Sequence, residues 1–336
     1  MASDTILLDH GAGGRASHEL VKRVFAGRLS NPLLDPLDDA AVLEPPPGRL
    51  AISTDTFVVD PVVFPGGNIG SLAVHGTVND VCMRGAKPLW LTAGFVLEEG
   101  LSIELLISIV EAMARAASEA GVAIVAGDTK VVGRGQADKI FINTCGVGVI
   151  PEGLEVGAHL ARPGDAVLVS GSMGDHGVTI LAQREGLNLD APLKSDSAAL
   201  NGLVAATLAA CDGVHVLRDP TRGGLATTLN EIAATSAVAI ELKEGAIPVD
   251  PVVQGVCELL GLDPLYLANE GKLICIVRGD QADAALKAMR AHPLGRGAAL
   301  IGQVKEAPAG RVWMHTSVGG GRILDMLSGE PLPRIC

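Results

Sequence analysis

Apolar positions along the chain switch between two periods. Between Ser17 and Leu29, the residues Leu20, Val21, Val24 and Phe25 recur at helical spacing and predict one helix. Ser102 precedes Leu105, Leu106, Ile109, Val110 and Met113, and Gly121 closes that run, predicting a helix capped at both ends. Strand-like runs occupy residues 50–54, 90–97, 122–126 and 139–150. A fresh start at Arg162-Pro163-Gly164-Asp165 leads into a further strand over 166–170. The second half then repeats the style, with helices over 200–208, 224–234 and 281–291 and strands over 237–242, 272–277, 298–304 and 311–315. Such alternation predicts an α/β (mixed α+β) chain divided near 155–163, giving an N-terminal domain 1–158 and a C-terminal α/β domain 159–322. The tail 323–336 ends in MLSGEPLPRIC, whose two prolines exclude a continuing helix or central strand. It reads as a flexible arm, and ten extended residues would reach on the order of 30 Å.

Composition narrows the classes of function. The 336 residues are 48% hydrophobic but only 2% aromatic, so the cores must be built from Leu, Ile, Val and Ala. Twenty-six basic against 38 acidic residues leave a formal charge of −12, which argues against nucleic acid as a partner. The apolar stretch from Leu105 to Ala126 is cut by Glu111, Arg115 and Glu119, so no membrane span is expected. The chain opens without a basic, signal-like segment, and its six cysteines form no CxxC pair; both features point to a reduced, cytoplasmic protein. Cys82, Cys145, Cys211, Cys257 and Cys275 sit in apolar surroundings and read as small buried hydrophobes. Cys336 differs, because it is the last residue.

Candidate chemistry lies in the acidic and glycine-rich segments. Asp38 and Asp39 precede an apolar AAVL, Asp55 ends a strand, Asp80 follows Asn79, Asp128 closes IVAG and Asp219 stands in RDPTRGG. Carboxylates at strand ends and glycine turns face a cleft mouth, where hard cations such as Mg²⁺ find oxygen ligands. Each also reads as a cap or turn former, and it is their recurrence that favours a metal–phosphate site. The glycines of His10-Gly11-Ala12-Gly13-Gly14, Gly66-Gly67 with Gly70, and Arg222-Gly223-Gly224 each precede a helical pattern, where backbone N–H groups can approach phosphate. No Walker sequence or GxGxxG unit accompanies them, so each loop alone is weak. Lys130 adds a cation just after Gly127-Asp128-Thr129.

The series HGAGG, DDAAV, STDTFVVDPVVFPGGNIG, HGTVNDVCMRGAKP, VAGDTKVV, GDHG, LRDPTRGG, ANEGKL and terminal PRIC, in that order and spacing, resembles the HypE family of hydrogenase maturation factors. That family belongs with aminoimidazole ribonucleotide synthetase, selenophosphate synthetase and thiamine-monophosphate kinase. The resemblance implies a two-domain aminoimidazole-ribonucleotide-synthetase-like fold whose N-terminal domain forms a β-barrel across a homodimer. It further implies an ATP-dependent carbamoyl dehydratase. A carbamoyltransferase, HypF, would load the terminal Cys336, and the thiocarboxamide would then be dehydrated to a thiocyanate. The cyano group would pass to a HypC–HypD complex for the iron centre of [NiFe]-hydrogenase. By resemblance, Asp39, Asp55, Asp80 and Asp219 become Mg²⁺ ligands. Gly11, Gly13 and Gly14 become the flap over ATP, with Asp128 and Arg222 also at the nucleotide. Lys130 and Glu270 become active-site residues.

That chemistry makes sense of the set. An amide oxygen leaves only after conversion to a phosphate ester, and the nitrogen must then lose protons to a positioned base. Glu270 in Asn269-Glu270-Gly271 is the preferred base, ahead of His75 and His176. The terminal carboxylate disfavours a thiolate at Cys336, with Arg334 offsetting it in part, so the cysteine reads as an acceptor loaded by a partner. Rival readings are another synthetase of the superfamily and a nucleotide-sensing scaffold without turnover. The terminal PRIC and the lack of an N-terminal cysteine argue against the first. Turnover dependent on the loaded Cys336 would separate enzyme from scaffold.

Overall fold

The computed structural model describes residues 4–187, 193–329 and 332–336. The first half contains helices α1 (Arg15–Leu20) and α2 (Gly27–Leu29), joined by a π-helical turn over Val21–Ala26. Strand β1 (Arg49–Phe57) follows, then the short pair β2 (Val63–Phe64) and β3 (Gly67–Asn68), helix α3 (Ile69–Cys82), β4 (Lys87–Glu98), α4 (Ile103–Ala120), β5 (Ala123–Val132) and β6 (Ile140–Ile150). Four strands make one sheet in the order β1-β6-β4-β5, antiparallel except for β4 with β5, which α4 connects.

Helix α3 forms the centre of this half. Asn68 caps it, accepting from the N–H groups of Gly70 and Ser71. Ile69, Leu72, Val74, Val78 and Val81 are each buried to 1% exposure or less, contributing about 1.5–3 kcal/mol apiece. A helix apolar on nearly every face must lie inside a structure, and α3 runs between the sheet and α4. Helix α4 shows the expected caps, with Ser102 accepting from Leu105 N–H and Gly121 in the left-handed conformation.

The second half runs β7 (Ala166–Val169), α5 (Asp175–Arg184), α6 (Asn201–Ala210), β8 (Val214–Arg218), α7 (Gly224–Thr235), β9 (Ala239–Lys243) and α8 (Pro251–Leu260). It continues through β10 (Ile274–Val277), α9 (Ala282–Ala291), β11 (Ala299–Lys305), β12 (Arg311–His315) and β13 (Gly321–Leu324). Its seven-stranded sheet has the order β13-β12-β9-β11-β7-β10-β8. Helices α5 and α8 are additions to the pattern expected from periodicity. Helix α8 carried readable signals: an Asp250 cap, Pro251 in the first turn and a left-handed Gly261. Helix α5 begins after a left-handed Gly174 with no side-chain cap, so its start is silent in the sequence.

Two expectations need correction. Cys145 is half-exposed on the outward face of β6, while Cys82, Cys211, Cys257 and Cys275 are buried. The terminus is also not a loose arm here. Ile335 is 5% exposed and joins the core of the first half, with Leu332 and Cys336 packed against it. Among the described residues, no helix is long and apolar enough to cross a membrane.

Candidate active site

Four loops meet between the two sheets, and Asn269 joins three of them. Its side chain accepts from Gly174 N–H at 2.8 Å and donates to the carbonyls of Pro220 and Leu267 at 3.0 and 3.1 Å. On α3, the neighbouring Asn79 donates to the carbonyls of Ala198 and Glu270 and accepts from Leu200 N–H at 2.8 Å. These fully buried amides use directional bonds to hold segments that share no strand pairing.

The carboxylates collect around that junction. Asp55 from the end of β1, Asp80 from α3 and Asp219 from the loop after β8 are neighbours: burial raises the pKa of all three, the Asp80 charge adds to the rise at both others, and Asp55 adds to that at Asp219. Burial and the Asp80 charge raise Asp55 to about 6 against the partial offset of Arg222. Burial and Asp80 likewise raise Asp219 to about 7. Ser53 donates to Asp80 at 2.7 Å, fixing its carboxylate. Glu270, 2% exposed, has its pKa pushed well above the ordinary glutamate range, first by burial and then by Asp196, Asp219, Asp55 and Asp80. One of its carboxylate oxygens, Oε1, is buried without a hydrogen-bond partner. A buried acceptor left open is costly unless something else fills it, which makes Glu270 a candidate site residue.

Asp196 locks the Glu270 loop in place. Its two oxygens accept from the N–H groups of Glu270 and Gly271, both at 3.1 Å, and from Lys272 Nζ at 3.1 Å. Lys272 also reaches Asp175 at 3.3 Å. A Cβ on Gly271 would lie 1.8 Å from the Asp196 carbonyl, so only glycine fits that crossing. Gly224 is similarly constrained, with a left-handed φ of 59° and no room beside the carbonyls of Leu265 and Leu267. The sequence reading missed Asp196, Lys272 and Asp175. Lys272 stands in ANEGKL and Asp175 in GDHG, whereas nothing local distinguishes Asp196.

The other expected residues form a second group. Gly11 packs so closely on Val131 of β5 that an added Cβ would be 2.7 Å from its nitrogen. Gly13, Asp38, Asp39 and Gly127 line a cavity of about 300 Å³. Lys130 and Asp128, both exposed on β5, pair with each other at 2.9 Å, which holds Asp128 below its usual pKa. Gly14 precedes α1 and is exposed. Asp128 and Lys130 on β5 stand at the opposite edge of the four-stranded sheet from Asp55 on β1, three strand spacings of about 4.8 Å away, and Asp39 lines the cavity beside β5. The structure therefore brings together Asp55, Asp80, Asp219, Arg222 and Glu270, and keeps Gly11, Gly13, Asp39, Asp128 and Lys130 apart from them.

The C-terminal residues complete the first group. Leu332 and Ile335 share with Arg222 and Gly223 the wall of a cavity of about 280 Å³. A terminal carboxylate oxygen of Cys336 accepts from Val58 N–H at 2.9 Å, just past Asp55 and the end of β1. His176 is engaged at both nitrogens, to Ser195 Oγ and to the Ile335 carbonyl, each at 2.7 Å. Burial pushes His75 down to about 4, and its Nδ1 meets Ser197 Oγ at 2.9 Å. Arg334, expected to offset charge at Cys336, instead pairs with Asp138 at 2.7 Å.

Residues 37–150 match the AIR synthase related protein, N-terminal domain family, and residues 162–315 the corresponding C-terminal domain family. The chain is 56% identical to carbamoyl dehydratase HypE of Azotobacter vinelandii, over 100% of this chain and 98% of that protein. A solved structure of hydrogenase maturation protein HypE in complex with ATP superposes with a TM-score of 0.96 at 56% identity, covering 99% of this chain and 100% of the other. A chain from a HypE–HypF complex superposes with a TM-score of 0.81 at 47% identity, covering 94% of this chain and 100% of that one.

Proposed function

This chain belongs to the HypE family of carbamoyl dehydratases, and we propose from its geometry how the dehydration is divided among its residues. The protein is an ATP-dependent dehydratase of hydrogenase maturation with a mixed α/β, two-domain fold of the AIR-synthase type. The observation that carries the residue assignment is the seating of the terminus. Ile335 lines one cavity with Arg222 and Gly223, while Cys336 bonds to the residue following β1, the strand that carries Asp55.

The substrate is then the chain's own C-terminus. Loading by HypF turns the Cys336 thiol into a thiocarboxamide, S–C(=O)–NH₂. Dehydration moves the amide oxygen onto the γ-phosphate of ATP, giving ADP, phosphate and the thiocyanate S–C≡N. The nitrogen gives up two protons over the sequence, and Glu270 Oε1, buried and unpartnered, is the acceptor placed for one. Asp196, Asn79 and the Gly271 crossing fix the backbone from which that side chain projects. Both nitrogens of His176 are occupied, and His75 is held by Ser197 and too weakly basic, which leaves Glu270 as the base.

The donor set fits Mg²⁺. Asp55, Asp80 and Asp219 are oxygen donors whose crowding Arg218 and Arg222 offset only in part. Among the described residues, no three acidic, His or Cys groups form a ready-made metal cage. That matches an ion held by one or two carboxylates together with substrate phosphates. Bound there, Mg²⁺ would neutralise the cluster and polarise the phosphoryl group, lowering the Glu270 pKa toward its working range.

The second group requires a partner protomer. Leu50 and Ile52 on β1 are 53% and 67% exposed, and Ile52 lies in register with Val147, which pairs in turn with Trp90. An outward apolar sheet face of this kind favours closure of the sheet against a second copy, as in a barrel across a homodimer. In our reading, the β5 edge of one protomer, with Asp39, Gly11, Gly13, Gly14, Asp128 and Lys130, completes the carboxylate cluster of the other around ATP. The thiocyanate then passes to HypC–HypD in the cytoplasm.

One experiment tests the assignment of Cys336. Mass analysis of the C-terminal peptide after incubation with HypF, carbamoyl phosphate and ATP should show gain of one carbamoyl group, then loss of one water. A peptide that stops at the carbamoyl stage with ATP present would overturn it. Mixing Lys130→Ala with Asp80→Asn chains tests the shared site, since only cross-dimer completion regenerates an intact site from two defective chains.

A further inference from the structure

The docked terminus is held by groups that lie outside the carboxylate cluster. Arg184, in the last turn of α5, aims three nitrogens at main-chain carbonyls: Nε at Asp60, and its terminal nitrogens at Pro333 and Arg334. The tail backbone runs beside residues 58–60, with Val58 N–H donating to Cys336 and Asp60 N–H donating to the Arg334 carbonyl at 3.3 Å. From another side, buried His176 meets the Ile335 carbonyl. Since a carbonyl only accepts, Nε2 carries the proton, and Nδ1 must accept from the Ser195 hydroxyl. The Ser195 oxygen in turn accepts from Ser197 N–H at 3.1 Å. Arg334 sits at a φ of 55°, a left-handed conformation that a non-glycine residue keeps only when its surroundings hold it.

We propose that Arg184 is the positioning residue for the acceptor cysteine, clamping the carbonyls of residues 333 and 334 to the Asp60 backbone so that Cys336 is presented to the site. This rests on the reading above that Cys336 carries the carbamoyl group. Arg184 touches no reacting atom. A guanidinium suits the task because its planar fork spreads five N–H donors over three nitrogens, reaching carbonyls of separate segments that the single nitrogen of an ammonium cannot span together. The same clamp opposes release of the tail to the transferase that must load it. Loosening it therefore moves the two half-reactions differently: dehydration slows, while loading is unchanged or faster.

The test uses the full-length Arg184→Ala and Arg184→Lys chains, with Ser195→Ala as a milder route to the same effect through His176. In the unloaded protein, the rate of Cys336 alkylation by N-ethylmaleimide, read by mass, should rise on the order of tenfold in Arg184→Ala. Dehydration of the pre-carbamoylated chain should fall at least tenfold, while carbamoyl transfer is unchanged or faster and ATP binding stays at the unsubstituted level. Arg184→Lys should fall between the two, and Ser195→Ala should shift the same readouts less. Normal dehydration in Arg184→Ala overturns the proposal. So does a parallel loss of ATP binding and carbamoyl transfer, which would indicate a general structural role. If the unsubstituted chain itself is loaded yet not dehydrated, the reading of Cys336 fails, and the clamp with it.

Discussion

Replacing Glu270 by Gln keeps the shape of the side chain and removes its capacity to take a proton. The catalytic consequence follows from general-base removal, which slows proton transfer by roughly 10²–10⁴-fold. The stability consequence has the opposite sign. Burial, together with Asp196, Asp219, Asp55 and Asp80, raises the folded pKa of Glu270 well above that of the unfolded chain. The contribution this residue makes to stability is therefore complete below its unfolded pKa and is lost as pH rises through the folded value. Each pKa unit of difference corresponds to about 1.4 kcal/mol. At alkaline pH the unsubstituted, nucleotide-free protein carries that cost in full, and Glu270→Gln does not. The variant should thus be more resistant to urea than the parent at pH 8, with the difference closing toward pH 4. Single-turnover conversion of carbamoylated Cys336 to thiocyanate, followed by peptide mass, should be slowed at least a hundredfold. A variant that dehydrates at the parental rate, or that is less stable at pH 8, refutes the reasoning.

Three further outcomes are expected. His75, pushed by burial from 6.5 to about 4, has a depressed folded pKa, so its contribution is present above pH 6.5 and lost as pH falls toward 4. That loss is on the order of 3 kcal/mol, and urea titrations of His75→Gln should show a flatter profile across the same window. Deleting only Cys336 should abolish thiocyanate formation while calorimetry still detects ATP binding, since no carboxylate of the cluster is removed. Asn269→Ala strips Gly174 N–H and the Leu267 carbonyl of buried partners, at about 1–3 kcal/mol for each unmet group, and should lower the urea midpoint and slow dehydration together.

Much of this protein was legible in its sequence because the signals were local. Helix α4 announced itself through the Ser102 cap, its apolar stripe and the Gly121 stop, and most of the long strands appeared as apolar runs close to their observed positions. The terminal Cys336 and the order of the acidic and glycine motifs carried the family. What the sequence could not state was which residues share one protomer's site. Asp55, Asp80 and Asp219 converge because α3 is apolar nearly all round and must thread between the sheet and α4, which brings its last turn to β1 and the loop after β8. Asp39 and Lys130 carry equally strong motifs yet stand against β5, away from that cluster. Asp196 and Arg184 act through contacts 74 and 124 residues away, with no signature nearby. Among the described residues of the tail after Leu324 there is neither helix nor strand, in keeping with its prolines, but composition alone suggested a free arm. Its docking depends on a guanidinium, a buried imidazole and three backbone N–H or carbonyl groups supplied by other segments. Local propensity reports what a segment cannot form, whereas its final position depends on partners that only the fold brings within reach.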